Sequence, residues 1–382
     1  MRISFQAFPL LYHLFIITII ISCCLPGYQA ESGYDPVPLI TADAAILMDA
    51  GTGQILFEKN ANLKKPPAST TKIMTVLLAL EGGDLQETVT VSPYAASVGE
   101  ASLELQEGEI LTLEDLLCGA LLESGNDACV TLAEHIGGTE ANFVLLMNQK
   151  AKLIGADSTS FKNTNGLPAV DHYTTAKDLA TITRCAFRNQ VFKQIVSTRN
   201  IIIESSLGTR HLSNTNRLLW SYYGADGVKT GTTVEAGCCL VASASRDGRK
   251  LISVVLNSHD RWTDSSKMLD YGFGLFENLR VIDQGLVVGS VRVEEGVVAE
   301  MSAVASADLD VVVPKDEVDY LEKVVIIERQ ITAPVVKGQP IGRITAKLKG
   351  EVVGSVELVS DRDVARMPNY RLFWEKRYFS PI

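Results

Sequence analysis

Ser69 and Lys72 lie three residues apart in the stretch PPASTTKIMT, residues 66–75. If a helix begins here, the Ser69 hydroxyl and the Lys72 amine lie on one face, one turn apart. A neutral amine in that position can take the hydroxyl proton and make Ser69 a nucleophile. The same spacing also fits an ordinary helix cap followed by a solvated lysine, so the pair carries no function by itself.

Two further triplets of polar residues follow along the chain. Ser-Gly-Asn at 124–126 interrupts a segment of helical periodicity, where Gly and Asn lower stability unless the break itself is needed. Lys-Thr-Gly at 229–231 lies on a predicted strand, where a glycine lets a ligand approach the backbone closely. The order S-x-x-K, S-x-N, K-T-G is the motif set of penicillin-binding proteins and class A β-lactamases.

The sequence around these triplets extends the match. LLESGNDA, NTNGLPAVDHYTTAKDLA, NTNRLL, DGVKTGTTVEAGCCLVASA and RWTDSSKMLDYGF closely resemble low-molecular-weight penicillin-binding proteins, the serine D-Ala-D-Ala carboxypeptidases. The resemblance covers about residues 38–277, and the Val- and Ile-rich segment 279–360 is similar to the C-terminal domain of that family. It implies an α+β fold: a β-lactamase/transpeptidase-like catalytic domain, with an antiparallel sheet flanked by helices, followed by a small all-β domain.

The resemblance also implies a role for each motif residue. Ser69 would attack the carbonyl between the two D-alanines of a peptidoglycan stem pentapeptide, with Lys72 as its base and Ser124 returning the proton to the leaving amine. Asn126 would orient Lys72 and the substrate amide. The implied substrate-binding set is Lys229, Thr230, Gly231, Thr232 and Arg261, with an oxyanion hole at the N–H groups of Ser69 and Thr232. Burial and the nearby Lys229 charge are expected to lower the pKa of Lys72. β-Lactam antibiotics would acylate Ser69, and no metal or cofactor is expected.

Other hydrolase classes fit the sequence less well. Class A β-lactamases deacylate with a glutamate, and no glutamate occurs between Glu140 and Glu204. Neither the G-x-S-x-G motif of Ser-His-Asp hydrolases nor the H-E-x-x-H motif of metallopeptidases is present. His172 is expected to be structural. A D,D-endopeptidase acting on cross-linked peptides and a non-catalytic wall-binding scaffold remain as alternatives.

Composition and the chain ends indicate where the protein works. The formal charge of −10 argues against a nucleic-acid partner, which requires a basic face. Residues 1–30 join Arg2, an apolar run over 10–21 and small residues up to Ala30, a pattern typical of a secretory signal. The segment before Cys23 also weakly resembles a lipoprotein signal. We expect an extracytoplasmic protein, peripheral on the outer face of the cell membrane.

The patterns predict four regions: a signal peptide (1–30), a catalytic domain (31–278), a β-rich domain (279–362) and a membrane-surface tail (363–382). In the tail, Tyr, Phe and Trp alternate with Arg and Lys, which favours contact with anionic lipid headgroups. The alternative is a tail that packs back on the β-rich domain. The five cysteines after the signal are an odd number in apolar surroundings, which favours buried free thiols over disulfides.

Several local elements are also predicted. AAILMDAGTGQILFEKN fits a hairpin, and STTKIMTVLLALE and TTAKDLATITRCAF fit helices. A capping box at Thr112 and Asp115 begins another helical segment. Residues 226–256 fit two long strands around the turn RDGR, and the next helix is expected to be capped by Thr263 or Asp264.

Overall fold

The structure, a computed structural model, describes residues 37–368 of the 382-residue chain and is an α+β protein, as expected. The helices are α1 (Lys72–Gly82), α2 (Pro93–Ala96), α3 (Leu113–Cys118), α4 (Asn126–Gly137), α5 (Glu140–Leu153), α6 (Ala176–Ala186), α7 (Gln190–Ser197), α8 (Leu218–Ser221) and α9 (Arg261–Leu275). The strands up to α9 are β1 (Ala44–Asp49), β2 (Ile55–Lys59), β3 (Thr88–Thr90), β4 (Ile110–Thr112), β5 (Asn200–Ser205), β6 (Gly208–Ser213), β7 (Ala225–Thr233), β8 (Gly237–Arg246) and β9 (Arg249–Ser258). After α9 come β10 (Phe276–Ile282), β11 (Val287–Glu294), β12 (Glu300–Ala305), β13 (Leu309–Pro314), β14 (Leu321–Ile327), β15 (Gln330–Thr332), β16 (Pro340–Leu348) and β17 (Glu351–Ser360).

The main sheet has the order β2-β1-β9-β8-β7 with antiparallel neighbours, and both of its faces are covered. Side chains alternate between the faces of a strand, so β1 supplies two cores. Ala44, Ile46 and Met48 pack in the core that contains α1, α4 and α6. Ala45 and Leu47 pack on the other face, against α9. Covering both faces explains why β1 is an unbroken apolar run.

The hairpin β1–β2 and the helices α1 and α6 confirm the prediction, but the strand prediction for 226–256 was wrong. Three strands occupy that segment, because residues 234–236 reverse the chain between β7 and β8. Gly237 opens β8 with φ +64°, and a Cβ there would lie 1.9 Å from Asn257 Oδ1. The predicted RDGR turn joins β8 to β9, with positive φ at both Asp247 and Gly248, as a tight hairpin requires.

The helix starts follow hydrogen-bond capping. The Thr112 cap is confirmed, since its side chain accepts a hydrogen bond from Asp115 N. The predicted cap of α9 was wrong, because Asp260 accepts from the N–H groups of Trp262 and Thr263, each at 3.2 Å. Asp264 instead lies inside the helix and is buried.

After α9 the chain forms a β-rich region with its own hydrophobic core. A six-stranded sheet has the order β14-β16-β17-β12-β11-β15, and β10 pairs with β13. The paired strands of this region run antiparallel except β11 and β15, which run parallel. Gln54 in the β1–β2 turn donates to Val312 O at 3.0 Å and accepts from Val312 N at 2.6 Å, which ties this region to the main sheet. The predicted domain boundaries stay predictions.

Several sequence predictions concern the chain ends and the thiols. The signal segment 1–30 and the aromatic part of the tail, from Tyr370 onward, lie outside the described residues. Val364 is buried and pairs with Val335, so the first residues of the tail pack on the β-rich region. In residues 37–368 no helix is long and apolar enough to span a membrane. All five cysteines there are free thiols; Cys185 and Cys238 are half-buried and the others buried.

Two aspartates at the start of α9 offer a test of these packing arguments. Asp264 accepts from Thr41 N at 3.0 Å, Ala42 N at 2.9 Å and Ser258 Oγ at 2.6 Å, in a buried position. Asp264→Ala should lower the free energy of unfolding by about 3 kcal/mol, because it leaves buried donors unpaired. Asp260→Ala removes an exposed cap and should cost about 1 kcal/mol. Urea denaturation measures both, and equal losses would contradict this account.

Candidate active site

Ser69 and Lys72 meet at the junction of a 3₁₀ turn, Ala68–Thr71, with α1. The Lys72 side chain is fully buried, whereas Ser69 is half-buried. Lys72 Nζ lies 3.0 Å from Ser69 Oγ, 2.8 Å from Asn126 Oδ1 and 2.8 Å from the carbonyl oxygen of Asn165. The structure therefore brings the first two motifs together around one amine.

The partners of Lys72 determine what its amine can do. Asn126 Nδ2 donates to Gly99 O at 2.9 Å, which turns Oδ1 toward Lys72. Both Asn126 Oδ1 and the Asn165 carbonyl accept hydrogen bonds, so Lys72 donates to each of them. A neutral amine then has only its lone pair left, and that lone pair points at Ser69 Oγ. The geometry suits transfer of the hydroxyl proton to Lys72.

Burial sets the charge of both lysines. It lowers the pKa of Lys72 to about 8. It also holds the pKa of Lys229 well below its usual value, and the charge of Lys72 lowers that pKa further. Because two buried ammonium groups repel each other, the empty site favours a state in which one lysine is neutral. The expected effect of burial on the pKa of Lys72 is present, whereas the repulsion between the lysines lowers the pKa of Lys229 and is not among the causes of the Lys72 shift.

The second motif interrupts the helical segment as predicted. A single π turn, Gly119–Glu123, ends at Ser124, which is buried and has the left-handed backbone conformation with φ +69°. Asn126 then begins α4, and the buried Asp127 accepts from Leu103 N and Leu105 N at 2.9 and 3.0 Å. These bonds hold the loop 99–105, which supplies the Gly99 carbonyl. The irregular backbone thus positions Asn126, as π turns at functional sites often do.

The third motif lies on β7, beside the nucleophile. Lys229 and Thr230 are buried, and Thr230 Oγ1 lies 2.7 Å from Thr215 Oγ1. Gly231 packs against the Ser69 turn so closely that a Cβ would lie 3.0 Å from Ser69 N. Any larger residue at 231 would push the strand away from the nucleophile.

Arg261 joins the site from the first turn of α9. Its Nη1 donates to Gly231 O and Thr232 Oγ1, both at 2.9 Å. Every side-chain hydrogen bond that Arg261 makes with residues 37–368 is donated by Nη1. The N–H groups of Nε and Nη2 therefore remain available to a ligand. Its guanidinium stacks on Trp262, and that of Arg217 lies over the same ring, 5.9 Å from the centroid. Two cations therefore flank the end of β7.

Sequence reasoning gave no role to Asn165, Gly166, Thr215 or Arg217. All four lie in the stretches NTNGLPA and NTNRLL, whose resemblance to the family was the one available signal. Gly166 has φ +91°, and a Cβ there would lie 1.9 Å from the Ala68 carbonyl oxygen. Ala68 itself has φ +47°, an unfavourable conformation for alanine. The loop around Gly166 holds the turn that presents Ser69.

His172 is placed as expected for a structural residue. Its Nδ1 accepts from Lys162 N at 3.1 Å, so Nε2 carries the proton and donates to Thr71 Oγ1 at 3.0 Å. Burial lowers the pKa of His172 to about 4, so the ring is neutral at physiological pH. It braces the 3₁₀ turn and is not in contact with Ser69 Oγ or Lys72 Nζ.

A groove of about 370 Å³ opens beside the Ser69 turn. Its walls include Pro67, Gly166, Leu167 and Thr233, so it runs from the loop around Gly166 to the end of β7. Within residues 37–368, no cluster of three or more His, Cys, Asp or Glu side chains could hold a metal ion.

The close packing of Gly166 can be tested against a second glycine of similar backbone. Gly155 has φ +81° but open space where a Cβ would lie. Gly166→Ala should slow acylation of Ser69 at least tenfold, because the new methyl group displaces the Ala68 carbonyl. Gly155→Ala should cost about 1 kcal/mol of stability and leave acylation unchanged. Labelling with a fluorescent penicillin measures the rates, and similar rates in the two variants would contradict the role of Gly166.

Comparison with known proteins agrees with the geometry. The family described as D-alanyl-D-alanine carboxypeptidase matches residues 32–260, and the family described as penicillin-binding protein 5, C-terminal domain, matches residues 276–366. The carboxypeptidase DacF of Bacillus subtilis is 35% identical over 335 residues, which cover 85% of this chain and 86% of DacF.

Solved structures show the same fold. Penicillin-binding protein 5 from Haemophilus influenzae is 32% identical with a TM-score of 0.78, and the match covers 86% of this chain and 99% of that one. A variant of a Streptomyces DD-transpeptidase is 34% identical with a TM-score of 0.60, covering 62% of this chain and 100% of that one. This chain belongs to the D-alanyl-D-alanine carboxypeptidase family of serine peptidases and has the penicillin-binding fold.

Proposed function

We propose that the protein removes the terminal D-alanine from peptidoglycan stem pentapeptides through an acyl-enzyme on Ser69. The observation that carries this proposal is the arrangement at Lys72, whose amine donates to two acceptors and faces Ser69 Oγ at 3.0 Å. Lys72 takes the hydroxyl proton as Ser69 Oγ bonds to the carbonyl carbon. The C–N bond then breaks, and the leaving amine receives a proton by way of Ser124. Water hydrolyses the ester and frees Ser69.

The substrate's terminal carboxylate binds at the end of β7. Lys229, Thr230, Thr232 and Arg261 form this subsite, and the unused donors of Arg261 match a carboxylate. A bound carboxylate raises the pKa of Lys229, and a charged Lys229 then disfavours a charge on Lys72. Substrate binding therefore assigns the charge to Lys229 and the neutral, basic form to Lys72.

The N–H groups of Ser69 and Thr232 form the oxyanion hole. The close approach of Gly231 to Ser69 N supports this, because it brings the end of β7 to the start of the 3₁₀ turn. Donors fixed in the backbone need no reorganisation when negative charge develops on the carbonyl oxygen. The same donors would polarise the carbonyl of a β-lactam, which acylates Ser69 as a substrate analogue.

The alternatives are less well supported. A non-catalytic scaffold does not require the bonded Ser69–Lys72 pair. A D,D-endopeptidase would use the same acyl-enzyme on cross-linked peptides, but two relatives that match 85% and 91% of this chain are named carboxypeptidases. The DD-transpeptidase relative matches only 62% of this chain.

We also infer an extracytoplasmic location. The signal-like residues 1–30 support export, and a peptidoglycan substrate requires it. The aromatic and basic residues of 370–379 favour a peripheral, reversible contact with anionic lipid. Sedimentation with anionic liposomes, comparing the full protein with a form that ends at Ser360, measures the contribution of the tail.

Release of D-alanine tests the proposed function directly. The purified protein should liberate one D-alanine per pentapeptide ending in D-Ala-D-Ala, and Ser69→Ala should abolish the release. A labelled penicillin should attach to Ser69 and not to the variant. Label on another residue, or undiminished release by Ser69→Ala, would refute the assignment.

The charge state of Lys72 predicts a pH dependence. Because the neutral amine is the active form and its pKa is about 8, penicillin acylation should fall about tenfold per pH unit below pH 8 and level off above it. Lys72→Arg should abolish acylation, because arginine does not lose its proton in a protein. The same substitution at the exposed Lys64 is the control and should keep the wild-type profile. Acylation by Lys72→Arg at the wild-type rate would exclude Lys72 as the base.

A further inference from the structure

A second cavity, of about 340 Å³, lies beside the β1–β2 turn, and every polar side chain that lines it is a cation. Arg184 comes from the last turn of α6, Arg188 follows that helix, Lys193 lies in α7 and Lys250 in β9. The whole chain carries a formal charge of −10, so a cavity lined only by cationic polar side chains is not what the overall composition would give by chance. Basic groups from four segments meet there.

Local structure accounts for only part of this charge. Lys250 pairs with Asp226 and lies 4.6 Å from the centre of the Phe187 ring. Arg184 donates from Nε to Ala50 O at 2.9 Å, so its partners are carbonyl oxygens and not a carboxylate. Within residues 37–368, the side chains of Arg188 and Lys193 make no hydrogen bond or ion pair. Three positive charges thus have no carboxylate in the cavity wall.

An adjoining cavity of about 460 Å³ shares Arg184 and Arg188 and adds Lys177. It also has no acidic lining residue, and its other walls include the exposed apolar side chains of Ile55 and Leu153. We call the two cavities together the cationic trough. Like charges held close together repel each other, and a bound anion relieves that repulsion. Guanidinium groups pair with phosphate oxygens in a two-pronged geometry, and lysine adds a point charge.

We propose that the cationic trough binds a phosphate group whose ester carries an apolar part. Arg188 and Lys193 contact the phosphate, Arg184 and Lys177 add to the positive potential, and Ile55 and Leu153 receive the apolar part. The trough is separate from the active site. Lys250 pairs with Ser245 at one end of β8, and Thr232 pairs with Cys238 at the other, roughly 23 Å away along the strand.

The phosphate can come from a soluble ester or from an anionic lipid headgroup, and binding measurements distinguish them. The ligands are glycerol 3-phosphate, inorganic phosphate, succinate as a carboxylate control, and vesicles of phosphatidylglycerol or phosphatidylcholine. The full protein is titrated at 150 mM salt, where the Debye length of about 8 Å screens diffuse attraction. The test variant is Arg188→Gln/Lys193→Gln, which removes two side chains without bonds. The matched control is Arg329→Gln/Lys337→Gln, an equal charge change at exposed positions of the β-rich region.

If the affinity for glycerol 3-phosphate falls at least tenfold in the test variant and not in the control, the ligand is a soluble phosphate ester. Binding to phosphatidylglycerol vesicles alone, with the same pattern, supports a lipid headgroup. Penicillin acylation of Ser69 should be equal in all three proteins, which keeps this result independent of the active site. Absence of phosphate binding, equal weakening in both variants, or equal affinity for succinate would overturn the proposal.

Discussion

The site depends on one buried amine, Lys72 Nζ, whose hydrogen-bonding directions are fixed by three oxygen atoms. Lys72 has no contact with water, and two of its hydrogen-bonding directions are taken by oxygen atoms that can only accept. When Lys72 loses one proton, the cost of burying a charge disappears, and the lone pair of Nζ faces Ser69 Oγ. The surrounding structure then serves to hold Asn126 and the Asn165 carbonyl in place. Without either acceptor the amine could turn away from the serine.

Backbone packing fixes the nucleophile more than side-chain bonds do. Gly231 and Gly166 pack against the Ser69 turn from the strand and from the loop; a Cβ at 166 would clash with the Ala68 carbonyl, and a Cβ at 231 would be tight against Ser69 N. Ala68 keeps an unfavourable φ of +47° between them. Such strain persists only where the neighbouring structure determines the conformation. A further contact holds the same turn: the neutral His172 is hydrogen-bonded to Thr71.

Much of this arrangement could be predicted from the sequence, and the reasons for the rest are physical. The roles proposed for Ser69, Lys72, Ser124, Asn126 and Lys229 belong to side chains in short motifs, which a sequence displays directly. Asn165 contributes a backbone carbonyl, for which any residue type would serve, so its type gives no signal. Arg217 meets Trp262 only through the folding of distant segments. The reversal before Gly237 was missed for the same reason, since Asn257 on another strand defines it.

The same reasoning separates the two cation clusters of the protein. In the active site the lysines are buried, so desolvation lowers both pKa values and favours a neutral amine that can act as a base. In the cationic trough Arg188 is exposed and Lys193 half-buried, so both side chains reach solvent, where they can meet an anion. Arginine strengthens this difference, because it does not lose its proton even when partly buried. Depth of burial thus decides whether a basic cluster in this fold supports proton transfer or anion binding.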